Sequence, residues 1–108
     1  MDTSDIREYC LSLGPEVEEC SPFGPDDLVF KTGGRMFALV DIRTSWLALK
    51  CDPERAVELR ERYEYVTPAH HFNKKHWNGI DGPAARGELL REWIRDSYGL
   101  VRAKHAKR

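Results

Sequence analysis

Apolar residues recur along this chain with two different periods, and the alternation between them lays out the elements. Near the N-terminus Ile6, Tyr9, Cys10 and Leu13 stand at i, i+3, i+4 and i+7, the spacing of one helix face. Thr3, Ser4 or Asp5 supplies a cap, and Asp5 with Glu8 has capping-box spacing. Gly14 and Pro15 stop this helix, since glycine accepts a left-handed C′ position and proline cannot continue. Through residues 17–50 the period falls towards two. Residues 17–20 predict a short edge strand, followed by strands at 28–31, 36–40 and 46–50, all rich in β-favouring types. Turn residues separate them at 21–26 and 43–45, and Gly33 and Gly34 suit the positive φ of a tight hairpin. Strict alternation sets Phe37 and Leu39 on one face of the sheet and Met36, Ala38 and Val40 on the other. Both faces are then partly apolar, so helices are expected on one and the segment 68–77 over the other.

Helical spacing returns after residue 51. Asp52 caps, Pro53 takes the first helical position, and Glu54 suits the positive end of the helix dipole. Ala56, Leu59 and Tyr63 form the buried stripe. A last strand is expected around 76–80, with Asp81, Gly82 and Pro83 as a turn and helix start. Leu90, Trp93, Ile94 and Val101 line one face of the final helix, with Ser97 between them. The basic tail at 102–108 is expected to fray, although cations near a helix C-terminus also suit the dipole. The order predicts an α+β fold, an antiparallel sheet with helices packed mainly on one face.

The length, 108 residues, fits one domain over 1–108. Hydrophobic residues make up 41%, enough for a core, and 32% are charged, as expected of a soluble protein. With 17 basic and 18 acidic residues the formal net charge is -1, without the basic excess of a dedicated nucleic-acid binder, so that function would rest on a local patch. No run is apolar enough to span a membrane, and the acidic, polar start MDTSD is the opposite of a signal peptide; a cytoplasmic protein with no membrane partner is expected. Cys10, Cys20 and Cys51 are odd in number and widely spaced, which reads as reduced thiols rather than a disulfide framework.

The atypical stretch is PAHHFNKKHW at 68–77, which holds three of the four histidines and is poor in aliphatics. The spacing of His70, His71 and His76 matches no zinc signature, and Arg7 interrupts the acids Asp2, Asp5 and Glu8 of the first helix, so no metal is expected. Ser97 lies inside a helix pattern without a nucleophile-elbow motif, and Cys51 reads as a small buried residue at a strand end. Neither a catalytic set nor a cofactor site emerges, which favours a non-enzymatic role. Nucleic-acid binding has a mechanism. Lys31, Arg35 and Arg43 lie on or beside hairpin turns, and Lys50 flanks them. Lys74, Lys75 and His76 suit phosphate, and Asn73 suits phosphate or a base edge. Trp77 reads either as a stacking platform or as an interior aromatic. The alternatives are an interaction or chaperone-like module for an unknown protein, and a small-ligand pocket around His71 and Trp77.

Several runs together resemble the MmcQ/YjbR family: SPFGP at 21–25, VFK at 29–31 before GGRMFA at 33–38, LK at 49–50 before DP at 52–53, PAHHFNKKHW at 68–77, and SY at 97–98 near LV at 100–101. The resemblance spans nearly the whole chain. It implies a CyaY-like fold, similar to frataxin and to type III secretion chaperones, and the double-wing DNA-binding role proposed for that family. The residues it carries over are Lys31, Arg35, Phe37, Lys50, His71, Asn73, Lys74, His76 and Trp77, with arginine at 35 where lysine is frequent.

Overall fold

The structure is a computed structural model that describes residues 1–106. The chain order is α1 (Thr3–Ser12), β1 (Glu18–Cys20), β2 (Asp27–Thr32), β3 (Arg35–Asp41), β4 (Trp46–Lys50), α2 (Pro53–Arg62), β5 (Val66–Pro68), β6 (Trp77–Asp81) and α3 (Gly87–Ala106). The strands form a six-stranded sheet in the order β1-β2-β3-β4-β6-β5, with every pairing antiparallel. The expected α+β architecture is present.

The helices cover one face. Phe30, Val40, Leu47, Leu49 and Ile80 point from the sheet into a core completed by Ile6 and Cys10 of α1, Leu59 of α2, and Leu90, Trp93, Ile94 and Val101 of α3. Edge-on contact between the rings of Phe37 and Tyr98, 5.3 Å apart, fixes α3 against β3. The opposite face holds a smaller apolar cluster. Val29, Leu39, Ala48 and Ala69 are buried in it, flanked by Cys20, Met36, Trp46, Phe72 and Trp77. The segment 68–77 therefore lies over the second face, as its apolar positions require.

The two-residue hairpin at Gly33 and Gly34 forms with φ of 60° and 79°, joining Thr32 to Arg35. Strict alternation fails along β3. The β2–β3 register shifts between Phe30 and Lys31, so that Phe30 faces Ala38 while Lys31 faces Met36. Phe37 is the extra residue of a β-bulge, and it joins Ala38 and Val40 on the helix side instead of Leu39.

Element ends also differ from expectation. Asp2 caps α1, accepting from the Asp5 backbone N–H at 2.9 Å while Asp5 accepts from the Asp2 N–H at 3.3 Å. Gly14 ends that helix outside the left-handed region; a Cβ there would lie 2.3 Å from Glu16 Oε1 and 2.7 Å from the Tyr98 hydroxyl. Asp52 stands at the α2 N-cap with no side-chain cap bond. Residues 81–85 form a turn, with Ala84 and Ala85 donating to the Asp81 carbonyl, and α3 starts only at Gly87. The turn is held back by the N-terminus, because the Met1 ammonium donates to the Gly82 carbonyl at 3.0 Å. Residues 102–106 continue α3 rather than fray, and Lys107 and Arg108 lie outside the described residues. Strand β5, only Val66–Pro68, joins β6 between α2 and α3 in chain order, and its proline sits on the sheet edge where a missing N–H is tolerated. No helix among the described residues is long and apolar enough to cross a membrane.

Candidate functional site

The segment between β5 and β6 is built from turns pinned by side chains. Ala69 donates to the Trp77 carbonyl at 3.2 Å, closing the segment at its base. Asn73 makes the return turn. Its Oδ1 accepts from the Lys75 N–H at 3.0 Å, and its carbonyl accepts from the N–H groups of His76 and Trp77, each at 3.0 Å. The His76 carbonyl in turn accepts from the Cys51 N–H at 2.7 Å, extending the β4–β6 pairing past Lys50. Phe72 stacks at a tilt on Trp77, with centroids 5.1 Å apart. Asn73 is thus a turn former, and Trp77, half-buried under Phe72, is a wall of the cluster rather than an exposed platform.

Arg60 of α2, which sequence reasoning passed over, clasps this segment from below. Its guanidinium donates to Asn78 Oδ1 at 2.6 Å, to the Lys74 carbonyl, and to the Trp77 carbonyl at 3.5 Å. Asn78, fully buried, donates to the Ala56 carbonyl at 3.3 Å, so the clasp is locked to α2 on both sides. On the sequence alone, an arginine near a helix C-terminus reads as a solvated charge that suits the dipole.

Register decides which charges meet. Lys31 pairs with Met36 and Lys50 with Trp77, and Arg35 follows the hairpin glycines. Lys31, Arg35, Lys50, Lys74, Lys75 and His76 accordingly gather at one end of the sheet, across about three strand spacings, or roughly 14 Å. Lys31, Arg35, Lys74 and Lys75 make no ion pair among the described residues. Acids also stand at this end: Glu18 pairs with Lys31 across β1–β2, and Glu16 accepts from the Thr32 hydroxyl at 3.1 Å. The other end is acidic: Asp27 pairs with Asp41, and Trp46 with Asp81. Arg43 belongs to that end, not to the basic one, and bridges Asp41 at 3.3 Å and Asp26 at 3.9 Å. Its hydrogen bond holds the Asp41 carboxyl below the usual carboxylate range.

Towards the acidic end, the second sheet face carries a cavity of about 400 Å³ lined by Phe23, Asp27, Leu39, Trp46, His70, His71 and Phe72. Phe23 is 65% exposed, and His71 holds φ of 71°, a conformation uncommon outside glycine. His71 therefore lines a pocket with Phe72 and Trp46 rather than with Trp77. Trp46 lies flat over Gly79, where a Cβ would stand 2.4 Å from its Cζ2 atom. Among the described residues, no group of His, Cys, Asp or Glu is arranged to hold a metal ion.

Comparison with known proteins covers almost the entire chain. A family model described as YjbR matches residues 13–100. The protein YbdF of Escherichia coli O157:H7 is 39% identical over 100% of this chain and 93% of its own length. YjbR of Escherichia coli K12 is 30% identical over 74% of this chain and 69% of its own. Among solved structures, a Deinococcus radiodurans protein of domain family DUF419 superposes with a TM-score of 0.85 at 41% identity, covering 93% of this chain and 78% of that one. A Pseudomonas syringae protein shares the fold with a TM-score of 0.80 at 22% identity, over 94% and 99% of the two chains.

Proposed function

This chain belongs to the YjbR family, and on that premise we propose that it binds nucleic acid weakly through the basic end of its sheet. The observation that carries the reading is the register that gathers Lys31, Arg35, Lys50, Lys74, Lys75 and His76 at one end while Asp26, Asp27, Asp41 and Asp81 occupy the other. Cations on the hairpin and on the turn at Asn73 contact phosphates, and the clasp by Arg60 keeps the lysine pair in a fixed place. A patch that neutralises about three phosphates gives a log–log salt slope of about -2.7, a loss of roughly 40-fold between 50 and 200 mM salt.

The test is a titration of the wild type and a Lys74→Ala/Lys75→Ala variant against short duplex and single-stranded DNA at those two salt concentrations. Salt-sensitive binding that weakens in the variant supports the reading; absent binding, or equal binding by the variant, overturns it. A second reading, a small-ligand site, is favoured by the aromatic cavity beside His71. Phe23→Ala opens that cavity without touching a lysine, so loss of a ligand in this variant with DNA binding intact would select it.

A further inference from the structure

Strands β4 and β6 lie beneath a gap between α2 and α3, with the side chains at its bottom, Leu49 and Ile80, only 2% exposed. The gap is a cavity of about 390 Å³, on the opposite side of the sheet from the segment 68–77. Its floor is Leu49 and Ile80, its walls are Leu59, Trp93 and Leu100, and Gly99 stands at its lip. We propose that this cavity binds a small, uncharged, mainly hydrocarbon molecule of two or three fused or linked rings.

Size and lining set the ligand class. The volume is about two and a half times the roughly 150 Å³ of an engineered apolar cavity that stays dry and takes up benzene. Of the polar side chains that line it, Asn78, Arg55 and Arg95 are already engaged. Asn78 is held by Arg60 and by the Ala56 carbonyl, Arg55 donates to Glu92 at 3.0 Å, and Arg95 reaches the Tyr9 hydroxyl at 3.5 Å. No buried side-chain nitrogen or oxygen among the described residues lacks a partner. The floor offers a ligand neither counter-charge nor hydrogen bond, so a charged group taken there would lose its hydration uncompensated. At the rim Lys50, Arg55 and Arg95 stand with Asp52 and Asp96, so both signs of charge are present at the entrance.

Gly99 is the second observation. It lies inside α3, where alanine is the better helix former. Nothing stands within 4 Å of where its Cβ would be, and its φ is not left-handed, so neither packing nor backbone requires glycine. A glycine here leaves this point of the cavity's lip without a side chain.

The probe is N-phenyl-1-naphthylamine, an uncharged fluorophore that brightens in apolar surroundings, titrated into the wild type and into variants with matching circular dichroism. Saturable binding at one equivalent is expected, with Cys51 on the cavity wall alkylated more slowly when the probe is bound and Cys20 unaffected. Gly99→Ala binds within about threefold of wild type, since a methyl group occupies little of the space. Gly99→Leu fills the lip and weakens binding at least tenfold. Ala103→Leu, one turn further along α3 on the same cavity, does the same should Gly99→Leu misfold. Phe23→Ala, at the cavity on the other sheet face, leaves binding unchanged. Absent saturable binding, wild-type affinity in both leucine variants, or a loss confined to Phe23→Ala overturns the proposal.

Discussion

At Gly34 the backbone holds φ of 79°, and a Cβ built there meets nothing within 4 Å. The penalty for any other residue is therefore conformational rather than steric. Gly34→Val is expected to lose about 1–2 kcal/mol of stability, the strain of a β-branched residue in the left-handed region. Urea denaturation reads this as a lowered midpoint, and an unchanged midpoint would contradict the hairpin geometry. This turn was legible because glycine is the default where φ is positive. Ser45 and His71, at 63° and 71°, were not, because serine does not announce that conformation and histidine, although enriched there, adopts it in only a small minority of cases. Surroundings hold Ser45 instead: its hydroxyl meets that of Thr3 at 2.8 Å, and its carbonyl accepts from the Gly82 N–H at 3.2 Å. The chemistry of Arg60 was hidden for a similar reason, since its targets lie 14 to 18 positions away along the chain.

Among the elements, the bulge at Phe37 shows where periodicity runs out. The strands, their order and the helix faces follow from residue spacing, yet one extra residue in β3 reverses a side chain and leaves no mark in composition. The ladder between β3 and β4 stops at Ala38 and Leu49, and Ser97 of α3 completes it. Its hydroxyl donates to the Phe37 carbonyl at 2.6 Å and accepts from the Lys50 N–H at 2.9 Å. A residue that reads as a polar interruption of a helix face is a bridge between two strands. Ser97→Ala would strand both backbone groups away from water, at roughly 1–3 kcal/mol each, so a destabilisation of about 2–6 kcal/mol is expected. Thermal or urea unfolding measures it, and a loss below about 0.5 kcal/mol would show that the strands re-pair directly. The atypical segment 68–77 is the complementary case. Its composition sets it apart from the rest of the chain, and its turn chemistry explains Asn73. Its cavity partners Phe23 and Trp46 come from distant strands and loops, which only the folded sheet brings together.

For the whole molecule, a net charge of -1 hides a separation of charge along the strands. The basic and acidic ends of β4, at Lys50 and Trp46, are about 13 Å apart at the ordinary rise of a strand. That distance is shorter than the Debye length at 0.01 M salt, about 30 Å, and longer than the one at 0.15 M, about 8 Å. The acidic end therefore repels a polyanion approaching the basic end in dilute buffer and is screened from it at physiological salt. Asp27→Asn/Asp81→Asn removes two of those charges without touching a lysine. If DNA is held at the basic end by phosphate neutralisation, this variant binds several-fold more tightly than wild type at 10 mM salt and equally at 150 mM. Lys74→Ala/Lys75→Ala weakens binding at both, because it removes contacts rather than a distant field. An acidic-end variant that gains affinity equally at both salt concentrations would place the DNA on the acidic half of the sheet face, beside the Phe23 and Trp46 cavity, and would overturn the assignment to the lysines.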